Sequence, residues 1–261
     1  MQNITIAVTA PIYFIIHLLT SPASSSNPTA DDIFVDPVDA AVLFISTYLT
    51  FIMPAVSMGM PPGLFFSTGV HYTYIAIWQV FPITHTITYY LLRRLSPQTH
   101  NQHVPDEARA IIAHLKVARI QRFILCLCFI PRTIAMAIAV TPASLAPQVW
   151  KPLFDQVTLE SLLVPLWPWN SPAAGDPTSP AGKPELAKLF LQWDMSCAGF
   201  GILAWAVFVY LVSLPHKDFL RNVWPTVLTY GVFGGPVAVA TLLVMERDGF
   251  VLELSVRPKK A

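Results

Sequence analysis

The residue of this chain best placed to do chemistry is a carboxylate inside a run that otherwise reads as a membrane span. Asp194 lies within Leu186–Leu214 (LAKLFLQWDMSCAGFGILAWAVFVYLVSL), about two helical turns into hydrocarbon. An ionisable group at that depth costs several kcal/mol, so such residues are rare and usually functional. Apolar surroundings favour the neutral acid, and a protonated carboxyl in a greasy cavity is a donor able to start chemistry on a hydrocarbon. A structural Asp bonded to a neighbouring helix explains the residue equally well, and both readings stand.

Helical spacing continues the face of Asp194 through Cys197, Ala198, Gly201 and Trp205. Small residues separate acid from indole by about 16 Å along the axis. Close helix packing accounts for this pattern most simply, because small residues gather at membrane helix contacts. The alternative is a groove with acid at one end and aromatic at the other, in which an isoprenoid chain fits and the indole face stabilises a developing cation.

Other polar residues at membrane depth are His17, Gln79, Thr84, His85, Arg132 and Glu246. Arg132, beside Pro131, could pair with a carboxylate or ligand phosphate, or cap a proline kink. Glu246 ends the last apolar run. In an antiparallel arrangement it would share a membrane side with Asp194, and two carboxyls there could divide acid and base roles. The simpler reading is an interfacial charge, since Arg247 and Asp248 follow directly.

The elements that must position these groups are apolar helices. The chain has 261 residues, 54% hydrophobic and 12% charged. Runs of about 20 apolar residues span a bilayer. Six are present: Ile4–Thr20, Ala40–Met60, Tyr72–Leu92, Phe123–Val140, Leu186–Leu214 and Val223–Met245. The expected fold is therefore an all-α polytopic transmembrane bundle of about six spans (five to seven), forming a single membrane-embedded domain over residues 1–261. The first run lacks a basic leader and contains Pro11 and His17, so it reads as a retained span rather than a signal peptide.

Net charge is +1, which argues against nucleic acid as a partner. Basic residues instead follow topology. Arg93, Arg94, Arg109, Lys116, Arg119 and Arg122 crowd one connection, and His216, Lys217 and Arg221 another. Alternating spans put both on one side, which the excess of Lys and Arg makes cytosolic. The basic tail Arg257–Lys260 fits this less well. An amphipathic surface helix is expected from Pro105, with Asp106 and Glu107 near its positive end. The Pro-rich connection 141–185, with Trp150, Trp167 and Trp169, is either a lid over a site or an interfacial tether.

Cys126, Cys128 and Cys197 all fall in apolar runs and read as small hydrophobes. No His/Cys cluster completes a metal site, so no metal, cofactor or disulfide is expected. Asn3-Ile-Thr is a formal glycosylation sequon, close against the first span.

Several segments resemble the integral-membrane terpene cyclases of fungal meroterpenoid pathways, such as those of the ascochlorin and macrophorin routes. They are APIYFIIHLLTSP (Ala10–Pro22), PAVSMGMP (Pro54–Pro61), IWQVFP (Ile77–Pro82), FLQWDMSCAGFGILAW (Phe190–Trp205) and GGPVAVATLLVMERD (Gly234–Asp248). They occur in the expected order over nearly the whole chain. The Gln-aromatic-Asp followed by Gly and Trp-Ala is the most specific. The resemblance implies an all-helical fold in the endoplasmic reticulum membrane. It also implies a proton-initiated cyclisation of a farnesyl-type or epoxyfarnesyl chain, without metal or diphosphate loss. Asp194 matches the family's acid and inherits the proton-donor role. Related cyclases often carry a second essential acid in an early span. Here the first three spans hold none beyond Asp39 at a boundary, and Glu246 is the stand-in.

The expected substrate-binding set is Trp78, Gln79, Phe81, Tyr89, Arg132, Trp193, Cys197, Gly201, Trp205 and Tyr230. The expected partners are a lipophilic prenylated small molecule and membrane lipid. The absence of an Asp-rich run in any span argues against cyclisation started by diphosphate ionisation. Two rivals remain: a carrier or receptor for a lipophile, using Asp194 for proton coupling, and an assembly subunit in which Asp194 pairs with a partner's charge.

Overall fold

The computed structural model describes residues 6–59, 67–96, 106–145, 148, 151, 154, 157–160, 182–214 and 223–256. Asn3, Pro105, Trp150, Trp167, Trp169, the basic residues His216, Lys217 and Arg221, and the tail Arg257–Lys260 lie outside the described residues, as do the side chains of Gln79, Asp106 and Glu107. The expectations resting on them, including most of the connection 141–185, are not described.

Regular structure among the described residues is helical throughout: α1 (Ile6–Thr20), α2 (Pro37–Thr47), α3 (Met53–Gly59), α4 (Thr68–Gln79), α5 (Phe81–Leu95), α6 (Asp106–Val140), α7 (Gly182–Ser213) and α8 (Trp224–Val256). Among the described residues, four segments are long and apolar enough to cross a membrane: Pro37–Ser57, Ile111–Val140, Leu189–Ser213 and Trp224–Leu254. The fold class is as expected, but the count of long spans among the described residues is lower than six, because the first and third expected spans fall short; the second and sixth are long enough but irregular.

The first expected span is a helix of 15 residues, short of the roughly 20 that a bilayer needs. The third divides at Val80 (φ −105°, ψ 15°), and Pro82 sits in the first turn of α5, where its missing N–H costs nothing. In the second, Pro54 cannot donate within the helix. The turn before it, Tyr48–Ile52, widens so that the Met53 N–H reaches back to the Tyr48 carbonyl. The sixth is not one straight helix, because Gly235 takes φ 76°, ψ −177°. One further correction joins elements expected to be separate: the surface helix after Pro105 and the fourth span are the single helix α6. No proline or glycine stands between Asp106 and Ile130 to part them.

The chain forms two compact units. The first is chiefly residues 33–120, in which α2 packs on α5 and α3 on α4. Asp36 caps α2 by accepting from the Val38 N–H at 2.8 Å. The second unit comprises residues 4–32 and 121–257, in which α7 packs against both α1 and α8. Its buried centre is Ala206, Tyr210, Leu214, Val223, Val239, Ala240 and Leu243.

The acidic loop after α1 is locally satisfied. The Thr29 N–H and hydroxyl both donate to Asp32 at 2.8 Å. These bonds, the backbone one foremost, hold the Asp32 carboxyl below the usual carboxylate range.

Candidate functional site

α7 carries the acid, and its two faces meet different neighbours. Asp194 Oδ1 accepts from the Ala7 N–H at 2.8 Å. A helix leaves its first N–H groups without internal partners, so the carboxylate ties down the start of α1. Further along the same face, a Cβ added to Gly201 would stand 3.2 Å from the Pro11 Cγ of α1. Further still, Trp205 meets Phe14 (centroids 5.2 Å, stacked) and His17 (5.4 Å, edge-on). The indole N–H donates to His17 Nδ1 at 3.3 Å, and the Ser24 hydroxyl lies 3.0 Å from the same nitrogen. Contacts run in order along both helices, Ala7 with Asp194, Pro11 with Gly201 and His17 with Trp205. α1 and α7 are therefore parallel and packed along this face. The groove expected between acid and indole is filled by α1, and the small residues serve close packing.

The opposite face of α7 borders a cavity of about 620 Å³. Gln192, Met195, Ser196, Gly199, Phe200 and Leu203 line it from α7, Cys128 and Arg132 from α6, and Val227, Gly231, Val232 and the stretch Gly234–Val237 from α8. At about 100° per residue, this set and the set of Asp194, Gly201 and Trp205 point to opposite sides of the helix. Asp194 is not among the lining residues.

The bend in α8 shapes that cavity. Only glycine adopts φ 76° readily, and Gly235 is the one described residue there with positive φ. A Cβ on Gly231 would lie 3.7 Å from Val239 Cγ2, and one on Gly234 2.5 Å from Ala238 Cβ. A straight helix would hold residues 231 and 239 about 12 Å apart, so limb 236–256 turns back along limb 224–234. Pro236 has no N–H for the Val232 carbonyl four residues earlier. Arg132 Nε supplies the missing donor, at 2.8 Å. Arg132 thus does cap a proline break, but that of Pro236 rather than of its neighbour Pro131. Tyr230 stands edge-on to Phe129 at 5.7 Å.

The turn-back separates the two expected acids. Limb 236–256 runs parallel to α7: Gly199 faces Pro236, Tyr210 faces Glu246 and Ser213 faces Arg247. Glu246 accepts from the Tyr210 hydroxyl at 3.1 Å. Tyr210 lies 16 residues beyond Asp194, about 24 Å along the axis. Glu246 therefore sits at the far end of α7 from Asp194, and the expectation that they share a side is corrected. The antiparallel rule failed because it assumed one unbroken span. Arg247, which follows Glu246, is buried. It binds Asp248 at 2.9 Å, Ser213 at 3.3 Å and the Ala23 carbonyl.

Trp193 is half-buried and Cys197 exposed, neither of them lining the cavity. Trp78, Phe81 and Tyr89 belong to the first unit. There Phe51 meets Phe81 at 5.0 Å and Trp78 at 6.2 Å, and the buried Trp78 indole N–H has no hydrogen-bond partner among the described residues. Tyr89 donates to Asp39 at 3.2 Å, Arg93 pairs with the same carboxylate, and His85 Nε2 meets Thr47 and Ser46 at 3.0 and 3.3 Å. Sequence reasoning missed Tyr210 and the pairing of His17 with Trp205, and gave no role to Gln192, the first residue of the Gln-aromatic-Asp segment. His17 stood out as a polar group at membrane depth, but nothing local named its partner.

The chain aligns with the terpene cyclase ascI of Acremonium egyptiacum at 23% identity over 258 residues, which is 95% of this chain and 61% of that protein. It thus spans about three fifths of the length of the relative it matches. No solved structure matches it. The CtvD domain family matches residues 1–252, nearly the entire sequence with both faces of α7 and the turn of α8, and the chain belongs to that family.

Proposed function

We propose that this protein is a membrane-embedded terpene cyclase that closes rings on a prenyl chain after protonating it. The observation that carries the reading is the alignment with a terpene cyclase along 95% of the chain. The helices long and apolar enough to cross a membrane support it, since a prenyl substrate partitions into lipid. The endoplasmic reticulum is the proposed membrane.

Asp194 is the proposed proton donor to a terminal epoxide or alkene of a farnesyl-type chain on a meroterpenoid precursor. A neutral carboxyl accepts through its carbonyl oxygen and donates through the other. The Ala7 N–H on Oδ1 suits that division, leaving Oδ2 to carry the proton. Protonation then takes place on the α1 side of α7. The resulting cation closes rings, with aromatic faces and preorganised dipoles stabilising the charge, and a weak base or water ends the sequence. Glu246, about 24 Å away along α7, is not the partner of Asp194 in this scheme.

Membranes carrying the protein, incubated with prenylated and epoxyprenylated phenols and analysed by chromatography and mass spectrometry, test the reading. Ring closure is an isomerisation, so the expected product keeps the substrate mass and changes retention. A lipophile that binds without ever changing retention would favour the carrier reading instead.

A further inference from the structure

The cavity between α6, α7 and α8 is not the surface on which Asp194 acts, and it has the make-up of a ligand site in its own right. Its volume of about 620 Å³ falls in the range of small-molecule sites. Its walls are mainly apolar, with Phe200, Leu203, Val227 and Val237 among them. Among its described lining residues one carries a full charge. Arg132 is half-buried within a segment apolar enough to cross a membrane. Its Nε is committed to the Val232 carbonyl, while its Nη nitrogens have no hydrogen-bond partner among the described residues. A guanidinium at membrane depth without an anion is costly. The other polar groups do not meet its need. The Ser196 hydroxyl proton is already given to the Gln192 carbonyl at 2.6 Å. The Gln192 side-chain oxygen is buried without a partner among the described residues, so no bond from them fixes that amide at its oxygen.

We infer that this cavity binds an amphiphile whose polar end is a carboxylate, received by the Nη edge of Arg132, with its apolar body among the side chains of α7 and α8. A planar guanidinium edge matches a planar carboxylate with two parallel bonds. A single cation balances a single negative charge, so a monoanion fits better than a phosphate dianion. The site does not depend on the cyclase reading and concerns the face of α7 away from Asp194.

Cys128 lines the cavity and makes it testable without turnover. In a Cys126→Ser, Cys197→Ser background, Cys128 is the remaining thiol. Its alkylation by N-ethylmaleimide is followed in detergent with 4-dodecylbenzoate, its methyl ester or a monododecyl phosphate. The benzoate is expected to protect Cys128 at a concentration about tenfold lower than the ester, since a hydrogen-bonded charge pair is at stake. Arg132→Gln, which keeps a donor for the Val232 carbonyl, should bring the acid down to the level of the ester. Arg132→Lys should fall between. Equal protection by acid and ester in the unsubstituted protein overturns the inference, and so does protection by neither. Better protection by the phosphate would make this a lipid-headgroup site and overturn the carboxylate assignment. The comparison of acid with ester requires no Arg132 variant to fold, and the cyclisation assay on membranes reads the other proposal separately.

Discussion

The two faces of α7 use the same residue types for different ends. Toward α1, Gly201 receives the ring of Pro11, and the rest of the face is closed by Phe14 and His17 against Trp205. Toward α8, Gly199 receives the ring of Pro236 more tightly, with an added Cβ only 2.8 Å from its Cγ. There the contact ends in a cavity, because limb 224–234 turns back at Gly235 instead of continuing along α7. A glycine opposite a proline is thus a packing device on both faces. What differs is whether the neighbouring helix runs straight past, as α1 does, or folds. The acid lies on the filled face and the cavity on the other. An ionisable residue and small neighbours on one helical face therefore do not by themselves mark a chamber.

The largest effect is expected at Asp194. Asp194→Asn keeps an oxygen for the Ala7 N–H, so α1 should stay packed and the protein should insert normally. Turnover should fall by about 10²–10⁴-fold, the usual contribution of a general acid. Near-normal turnover would reduce Asp194 to an anchor for α1, and loss of folded protein in the Asn variant would make it structural.

The next largest effect contrasts the two glycines. Gly199→Ala forces a methyl against a rigid proline ring and should cost about 1–3 kcal/mol of stability, as overpacking does. At Gly201 the neighbour has to move only a few tenths of an ångström, and alanine recovers about 1 kcal/mol of helix propensity. Gly201→Ala should therefore be close to neutral. Thermal unfolding in detergent measures both, and equal losses would mean that the faces are equally tight.

A smaller change is expected at Trp205. Trp205→Leu removes the stacking with Phe14, worth about 0.5–1.5 kcal/mol beyond the buried area. If the indole also faces the ring-closing cation, early-terminated products should appear. An unchanged product spectrum with lowered stability would confine Trp205 to the α1 contact. The smallest loss expected from removing a contact belongs to Tyr210→Phe, which deletes one hydrogen bond to Glu246 and should cost about 0.6 kcal/mol, the average for such bonds between membrane helices. A loss of turnover as large as that of Asp194→Asn would show that the far end of α7 takes part in the chemistry after all.

Much of this molecule was legible before its structure. All-α architecture followed from runs of apolar residues, whose lengths are set by the bilayer. Asp194 and Arg132 stood out because charge is costly where they lie. Their partners were not legible. The Ala7 N–H is 187 residues from Asp194, and the Val232 carbonyl is 100 residues from Arg132. The turn of α8 did leave a signal. Gly234-Gly235-Pro236 combines a residue free to take positive φ with one that cannot donate. The signal is masked because the flanking residues are uniformly apolar, and hydropathy carries no information about chain direction.

Composition and spacing by themselves determined that the chain is helical and apolar enough for a membrane, and that charges such as Asp194 and Arg132 are costly where they lie. These are local properties, set by hydropathy over a window and by the chemistry of single residues. Tertiary structure alone decided that α1 fills the face of Asp194, that Glu246 lies at the opposite end of α7, and that Arg132 caps the break at Pro236 beside a cavity. The first is a contact between segments 187 residues apart in sequence, and the other two depend on the direction in which α8 leaves its bend at Gly235.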